Sequence, residues 1–428
     1  MPRIVSTGVM WMTLKRQALV LTAGNVLTRG LGFVLRLCLA RWMTPGALGV
    51  MELSGTVAML AITPVTAGIP SAVSRLAAQA PAGRRGEVLH AGRSLALRAS
   101  LLLMPIMLAL SPLFAWLLGD ARTLPAILAA VPQILLLGLC SVCNGYCYGT
   151  GDTLLPAADE CLEQTVRLLL CALLLRFCPL PDGLAAAMPG VAGSLAACAA
   201  LLLFRVKLPR PAAHAPDLPR QLFRLAAPLT ATRLLLTGAR ALNAVLLPFC
   251  LRRSGLSAEA AVAQYGLLGG MAMPLIMAPG VITGALCMVA TPAISRLEHQ
   301  PAALRPLMLR MRLAGIAVGA AAGVALFAGS EVISRVLYRQ DALAPLLRFM
   351  SPLPVLMALH QVHSGIITGL GLQRRALTAH VAASALSLVI TSALCLRPDV
   401  RIFGAAAAML VSQGVQCVWE TLIIRRRS

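Results

Sequence analysis

ALVLTAGNVLTRGLGFVLRLCLARWM, residues 18–43, is the stretch from which the fold is read. About 20 apolar residues at 1.5 Å each cross roughly 30 Å of hydrocarbon, so this stretch is long enough to span a bilayer as a helix. Two charges sit inside it, Arg29 and Arg36, seven residues apart. That interval puts them about two turns, or roughly 10 Å, apart on one helical face. An arginine at mid-membrane costs about 2.5–3.5 kcal/mol on insertion scales and usually faces a polar cavity rather than lipid. Snorkelling to the interface is the other reading for Arg36, together with Arg41. Arg29 lies too deep for it, and the pair implies a solvated, anion-attracting cavity beside the helix.

Composition extends this reading to the whole chain. Of 428 residues, 58% are hydrophobic and 12% charged, where soluble domains carry about 25% charged residues. A net charge of +22 would suggest nucleic acid in a soluble protein. Here the basic residues flank apolar segments, so topology explains them and no nucleic-acid partner is expected. The first apolar segment exceeds the 7–15-residue core of a signal peptide and no small-residue cleavage site follows it, so it is expected to stay in the chain. The 12 cysteines fall mostly in apolar segments, as small buried hydrophobes rather than a disulfide framework.

Windows of about 19 residues mark twelve spans. Six lie near 18–43, 50–73, 94–118, 124–149, 154–177 and 184–206, and six near 222–250, 261–294, 310–337, 343–370, 375–396 and 402–424. Between the sets runs a Pro-rich, charged linker, Lys207–Gln221. The expected architecture is all-α: a six-helix bundle over 1–206, the linker at 207–221, and a second six-helix bundle over 222–428. The clusters Arg84-Arg85, Arg205/Lys207, Arg310/Arg312, Arg374-Arg375 and Arg425–Arg427 fall on one set of loops. About twice as many basic residues lie on that set as on the other, which places both termini and the linker in the cytoplasm.

The halves echo each other. Thr28-Arg29 and Arg36 recur as Thr232-Arg233 and Arg240, and Pro64 and Pro70 of the second span answer to Pro274 and Pro279 of the eighth. Ser74-Arg75-Leu76 matches Ser295-Arg296-Leu297, and Gly145, Gly149 and Gly151 reappear as Gly365, Gly369 and Gly371. A repeat of six helices keeps its orientation, so the halves are expected to be pseudo-symmetric about the membrane normal, around a central cavity. The four prolines free backbone carbonyls and allow bending, which suits gating helices and equally suits ordinary kinks.

Several stretches resemble a known family: GNVLTRGLGFVLRLCLARWMTPGALGVMEL, AGIPSAVSRLAAQA, GYCYGTGDTLLPAADECLEQTVRLLL, YGLLGGMAMPLIMAPGVITGALCMVATPAISRL and GIITGLGLQRRALTAHV. They are similar to the flippases of the multidrug/oligosaccharidyl-lipid/polysaccharide (MOP) superfamily. The nearest branch is that of the stage V sporulation protein B-like polysaccharide transporters, relatives of the lipid II flippase MurJ. The resemblance implies a MATE/MurJ-like fold, alternating access and a lipid-diphosphate-linked sugar as substrate. Two departures bear on a strict lipid II assignment. Many such flippases have fourteen spans, against twelve here, and lipid II members carry Arg-Asp after the Gly-Phe of the first helix, where this chain reads Gly32-Phe33-Val34-Leu35-Arg36.

Six arginines lie within spans, Arg29, Arg36, Arg98, Arg167, Arg233 and Arg240, against few acids, Glu52, Asp159, Glu160 and Glu163. The imbalance favours an anionic guest, since a diphosphate accepts bidentate guanidinium contacts. Arg29, Arg36, Arg233 and Arg240 are the candidate substrate contacts. Glu163 and Arg167, four apart, are candidates for an intrahelical pair or a gate, and Glu52 for a counter-charge at the outer mouth or, equally, an interfacial side chain. His360 and His363 share a face beside Gln361, as a proton relay or as interhelical hydrogen bonds. Cys140, Cys143 and Cys147 share a face without a histidine nearby and read as packing, so no metal site or cofactor is expected.

No Asp-x-Asp, HExxH or GxSxG motif supports an enzyme. A MATE-type cation/drug antiporter is the alternative transport reading, and it calls for acids rather than arginines in the cavity. A non-transporting membrane scaffold for cell-wall synthesis is a third. The sequence reading is therefore a flippase of the bacterial cytoplasmic membrane, with the lipid bilayer, an anionic lipid-linked sugar and cell-wall or polysaccharide synthesis enzymes as partners.

Overall fold

The computed structural model describes residues 7–177, 180–208, 217–297 and 299–425, with side chains from residue 23 onward except at 206 and 207. All regular structure among them is helical. The first half contains α1 (Thr7–Trp42), α2 (Pro45–Thr66), α3 (Gly68–Gln79), α4 (Arg85–Leu118), α5 (Thr123–Thr150), α6 (Leu154–Phe177) and α7 (Asp182–Lys207). The second contains α8 (Leu218–Arg253), α9 (Ala258–Gly266), α10 (Met273–Met277), α11 (Gly280–Arg296), α12 (Pro301–Val332), α13 (Leu343–Met350), α14 (Leu353–Gly369), α15 (Gln373–Cys395) and α16 (Ile402–Arg425). Most of the expected linker, residues 209–216, lies outside the described residues, and its last four residues form the start of α8. The eleven described cysteines are all unbridged.

Ten of these helical rods are long and apolar enough to cross a membrane, or eleven with α13 and α14 counted as one span bent by 48°. The expected count is twelve: the fifth, 154–177, is a 24-residue helix, α6, but it carries Asp159, Glu160, Glu163, Arg167 and Arg176 and is not among the ten or eleven. The expected eighth span is broken rather than continuous. A π-helical stretch, Leu267–Ala272, leads into α10, and the chain breaks before Pro279 caps α11. The second span breaks at Ala67, between Pro64 and Pro70. Each proline removes an intrahelical donor, so both halves interrupt the corresponding helix.

Capping marks other boundaries. Thr44 Oγ1 accepts from the Ala47 N–H at 3.0 Å ahead of Pro45, and Ser257 caps α9 in the same way at 3.2 Å. The repeated glycines perform the same task twice. Gly151 (φ 85°) and Gly371 (φ 69°) end α5 and α14 in left-handed turns. The next residue's N–H closes each turn at 2.9 Å, Asp152 onto the Cys147 carbonyl and Leu372 onto the Ile367 carbonyl. A Cβ on Gly145 or Gly149 would meet the Pro70 or Ser74 carbonyl of α3 at 2.4 Å. One on Gly365 or Gly369 would meet Cys287 or Ile294 of α11 within 3.0 Å.

The buried apolar residues divide unevenly along the rods. One cluster takes in both halves, from Leu35, Leu48 and Ile127 to Leu251, Ile276 and Leu347. All but Ile276, which sits near mid-depth, lie toward the end that bears the loops after α1, α4, α6, α8 and α12. At the opposite end the core splits in two. One part holds Val73, Leu89, Val142 and Phe204 with Leu222 and Ala226 from the start of α8. The other holds Ile294, Met308, Ile366 and Ile424.

Candidate functional site

The structure sorts the in-span arginines by partner. Arg36 of α1 reaches α2, where its Nη1 lies 2.5 Å from Glu52 Oε1. Glu52 in turn lies against Gly269 in the π-helical stretch of the other half. Arg167 Nη2 lies 2.6 Å from Glu163 Oε1 within α6. Both are thus ion-paired.

Arg29 is different. Two turns along α1 from Arg36, its Nη1 reaches across to α11, 3.5 Å from the Gly280 carbonyl, long for a hydrogen bond. A Cβ on Gly284 would stand 2.9 Å from Nη1, so the absence of a side chain there makes room for the guanidinium. Glu160 of α6 is within electrostatic reach. Even so, no carboxylate among the described residues is at ion-pair distance from Arg29, and the same holds for Arg233 and Arg240 on α8. Those two are exposed along α8, and Arg240 faces His380 of α15 within electrostatic reach. The four predicted contacts therefore do not form one cluster: one is neutralised by an acid and three are bare cations.

The prolines also fall into place. Pro64 and Pro70 flank the α2–α3 break, and Pro274 and Pro279 flank the α10–α11 break. Thr63 Oγ1 on α2 meets Thr237 Oγ1 on α8 at 3.4 Å just ahead of the first break.

The end with the shared core is tied across the halves by polar contacts that sequence reading did not foresee. Arg122 lies 2.8 Å from Asp120, 3.4 Å from Asp182 and 3.8 Å from Glu259 of α9. The Asp120 hydrogen bond and the surrounding carboxylates raise the Arg122 pKa further, so it stays charged. Arg252 Nη1 donates to the Gly119 carbonyl at 3.1 Å, and Arg41 Nη1 donates to the carbonyls of Val336 and Leu337 at 3.2 Å. Beneath these contacts α2 and α9 touch backbone to backbone. A Cβ on Gly49 would stand 2.0 Å from the Val262 carbonyl, and one on Gly266 1.9 Å from the Pro45 carbonyl.

One buried acid was also missed. Glu420 of α16 packs against His360 and His363 of α14. It lies five residues from Arg425 at a span end, where an interfacial side chain is the default expectation. Only the approach of α14 shows it to be buried.

A family model described as polysaccharide biosynthesis protein matches residues 14–298. Stage V sporulation protein B of Bacillus subtilis (strain 168) is 28% identical over 422 residues, covering 93% of this chain and 81% of that protein. Among solved structures, the inward-facing conformation of a multidrug resistance MATE family transporter of the MOP superfamily superposes with a TM-score of 0.68 at 15% identity, covering 96% of this chain and 95% of that one. A MOP superfamily transporter from Pyrococcus furiosus Vc1, described by the reverse polarity of its binding pocket, gives a TM-score of 0.66 at 14% identity and covers 96% of each chain.

Proposed function

The chain belongs to the polysaccharide biosynthesis protein family, and from that premise we propose that it is an alternating-access flippase for a lipid-diphosphate-linked sugar. It works across the bacterial cytoplasmic membrane, with both termini in the cytoplasm. The observation that carries this reading is the set of bare cations. Arg29, Arg233 and Arg240 form no ion pair among the described residues, on helices whose partners diverge into two cores at one end. A guanidinium without a carboxylate in a membrane protein is costly unless an anion completes it, and a diphosphate offers a bidentate match. Arg29 extends from the first half to α11 of the second. An anion held there touches both bundles and senses their relative motion. Arg36, already neutralised by Glu52, sets the limit of the anion's path toward the joined end.

The joined end is the outer end in the expected orientation, and the split cores open to the cytoplasm, where a lipid-linked precursor is loaded. Single cysteines at Gly83 and Gly255, at opposite ends in a cysteine-free background, test this. A membrane-impermeant maleimide applied to intact cells is expected to label position 255 and not position 83. The reverse pattern would invert the direction of loading.

Function is tested in proteoliposomes by comparing flipping of fluorescent lipid-diphosphate sugars with efflux of lipophilic cations. Flipping without cation efflux is the expected result. Cation efflux without flipping would establish the antiporter reading instead.

A further inference from the structure

Beyond His380, which Arg240 faces, α14 and α16 bring together a group of side chains that transport of an anion does not require. A ring nitrogen of His363, Cys417 Sγ and a Glu420 carboxylate oxygen all lie within 4.8 Å of one another. The three residues are 1%, 4% and 2% exposed. His363 Nδ1 is 3.5 Å from Glu420 Oε2 and has no hydrogen-bond partner, an orphaned ring nitrogen aimed into the group. His360, one turn earlier on α14, places Nδ1 2.9 Å and 3.1 Å from the two Glu420 oxygens. Gln416 Nε2 donates to Glu420 Oε1 at 3.1 Å and lies 3.2 Å from His380 Nδ1.

We propose that His363, Cys417 and Glu420, with His360 as fourth donor, form a site for one divalent transition-metal ion of the zinc class. Three features of the site argue for it. The first is spacing: tetrahedral bonds of about 2.0–2.3 Å separate ligand atoms by roughly 3.3–3.8 Å, and the His363–Glu420 separation falls in that interval, while His360, at 2.9 Å from Glu420 and outside the three-residue group, must draw back to ligate. The second is donor chemistry. Two imidazoles, a thiolate and one carboxylate suit a borderline-soft ion, and supply too few oxygens for calcium or magnesium. The third is charge. A divalent cation with one thiolate and one carboxylate is neutral overall, the condition under which a buried ionic group is tolerated between membrane helices. On binding, the Cys417 thiol gives up to water the proton it now donates to the Leu356 carbonyl at 3.3 Å. His360 gives up its hydrogen bond to Glu420, while Gln416 keeps its own and orients the carboxylate. The ion joins α14 to α16, within the second bundle alone.

The test uses the full-length protein, purified in detergent without a histidine tag, stripped with chelator, loaded with Zn²⁺ or Co²⁺ and desalted. One metal per chain by elemental analysis is expected, with a thiolate-to-cobalt charge-transfer band for the Co²⁺ form. Cys417→Ser removes the band, Cys417→Ser/Glu420→Gln reduces retained metal to background, and Cys140→Ser changes neither. Peptide-level alkylation of the wild-type chain keeps the proposal falsifiable should the variants not fold: Zn²⁺ is expected to protect Cys417 and leave exposed Cys198 reactive. Background metal in the wild-type protein, an unchanged cobalt band in Cys417→Ser, or Cys417 alkylated equally with and without Zn²⁺ would each overturn the assignment.

Discussion

At the end bearing Arg41, Arg122 and Arg252, the two bundles share one hydrophobic core, whereas at the opposite end the core is split, one part joining the first bundle to the start of α8 and the other lying within the rest of the second bundle. Charge follows the same division on α1. Toward the joined end Arg36 is matched by Glu52, and at its tip Arg122 is matched by Asp120 and Asp182. Two turns further from that end, Arg29 has no acid at ion-pair distance among the described residues. The difference teaches where each half can move and where it can bind. At the joined end the charges are matched within the protein, although Arg36 and Arg122 stay partly exposed. A surface that meets solvent and substrate in turn leaves its cations to the ligand.

The largest effect that would break this comparison is expected at Arg29. Charge-assisted hydrogen bonds contribute about 1.5–3 kcal/mol, so Arg29→Ala should lower flipping by about 10- to 100-fold at unchanged membrane levels. Arg29→Lys should recover part of it, since an ammonium keeps the charge and loses the planar fork. Full complementation by Arg29→Ala would show that the bare cation is not a substrate contact.

Gly49→Leu attacks the joined end itself. The new side chain meets the Val262 backbone carbonyl, which has no rotamer by which to move aside, and overpacking of this kind costs about 1–3 kcal/mol. Conformers with α2 and α9 apart should then gain about tenfold in population. A cysteine at Val262 in that background should label faster from the side of the joined end. Unchanged labelling would mean that this interface never opens. The smallest effect is expected from Arg122→Ala. Its partners are partly exposed and solvent screens them, so the loss is about 1 kcal/mol or less, read as up to about a fivefold rise in the same labelling rate. An effect as large as that of Gly49→Leu would shift the weight of closure from backbone packing to the ion network.

Much of this molecule was legible in order of residues. Helical rods followed from the length of apolar runs, because a backbone in hydrocarbon must satisfy its own hydrogen bonds. The repeat followed from glycines at matching intervals, and Gly145, Gly149 and Gly151 serve α5 as Gly365, Gly369 and Gly371 serve α14. The breaks at Ala67 and ahead of Pro279 lay beside prolines already marked, though their extent was not. What tertiary structure alone decided was partnership. Arg29 and Arg36 share a helix and a face in sequence, and Glu420 lies near a span end. Whether a charge is matched, bare or buried depends on which other helix passes within about 4 Å of it. That is set by the packing of distant segments, which local periodicity does not encode.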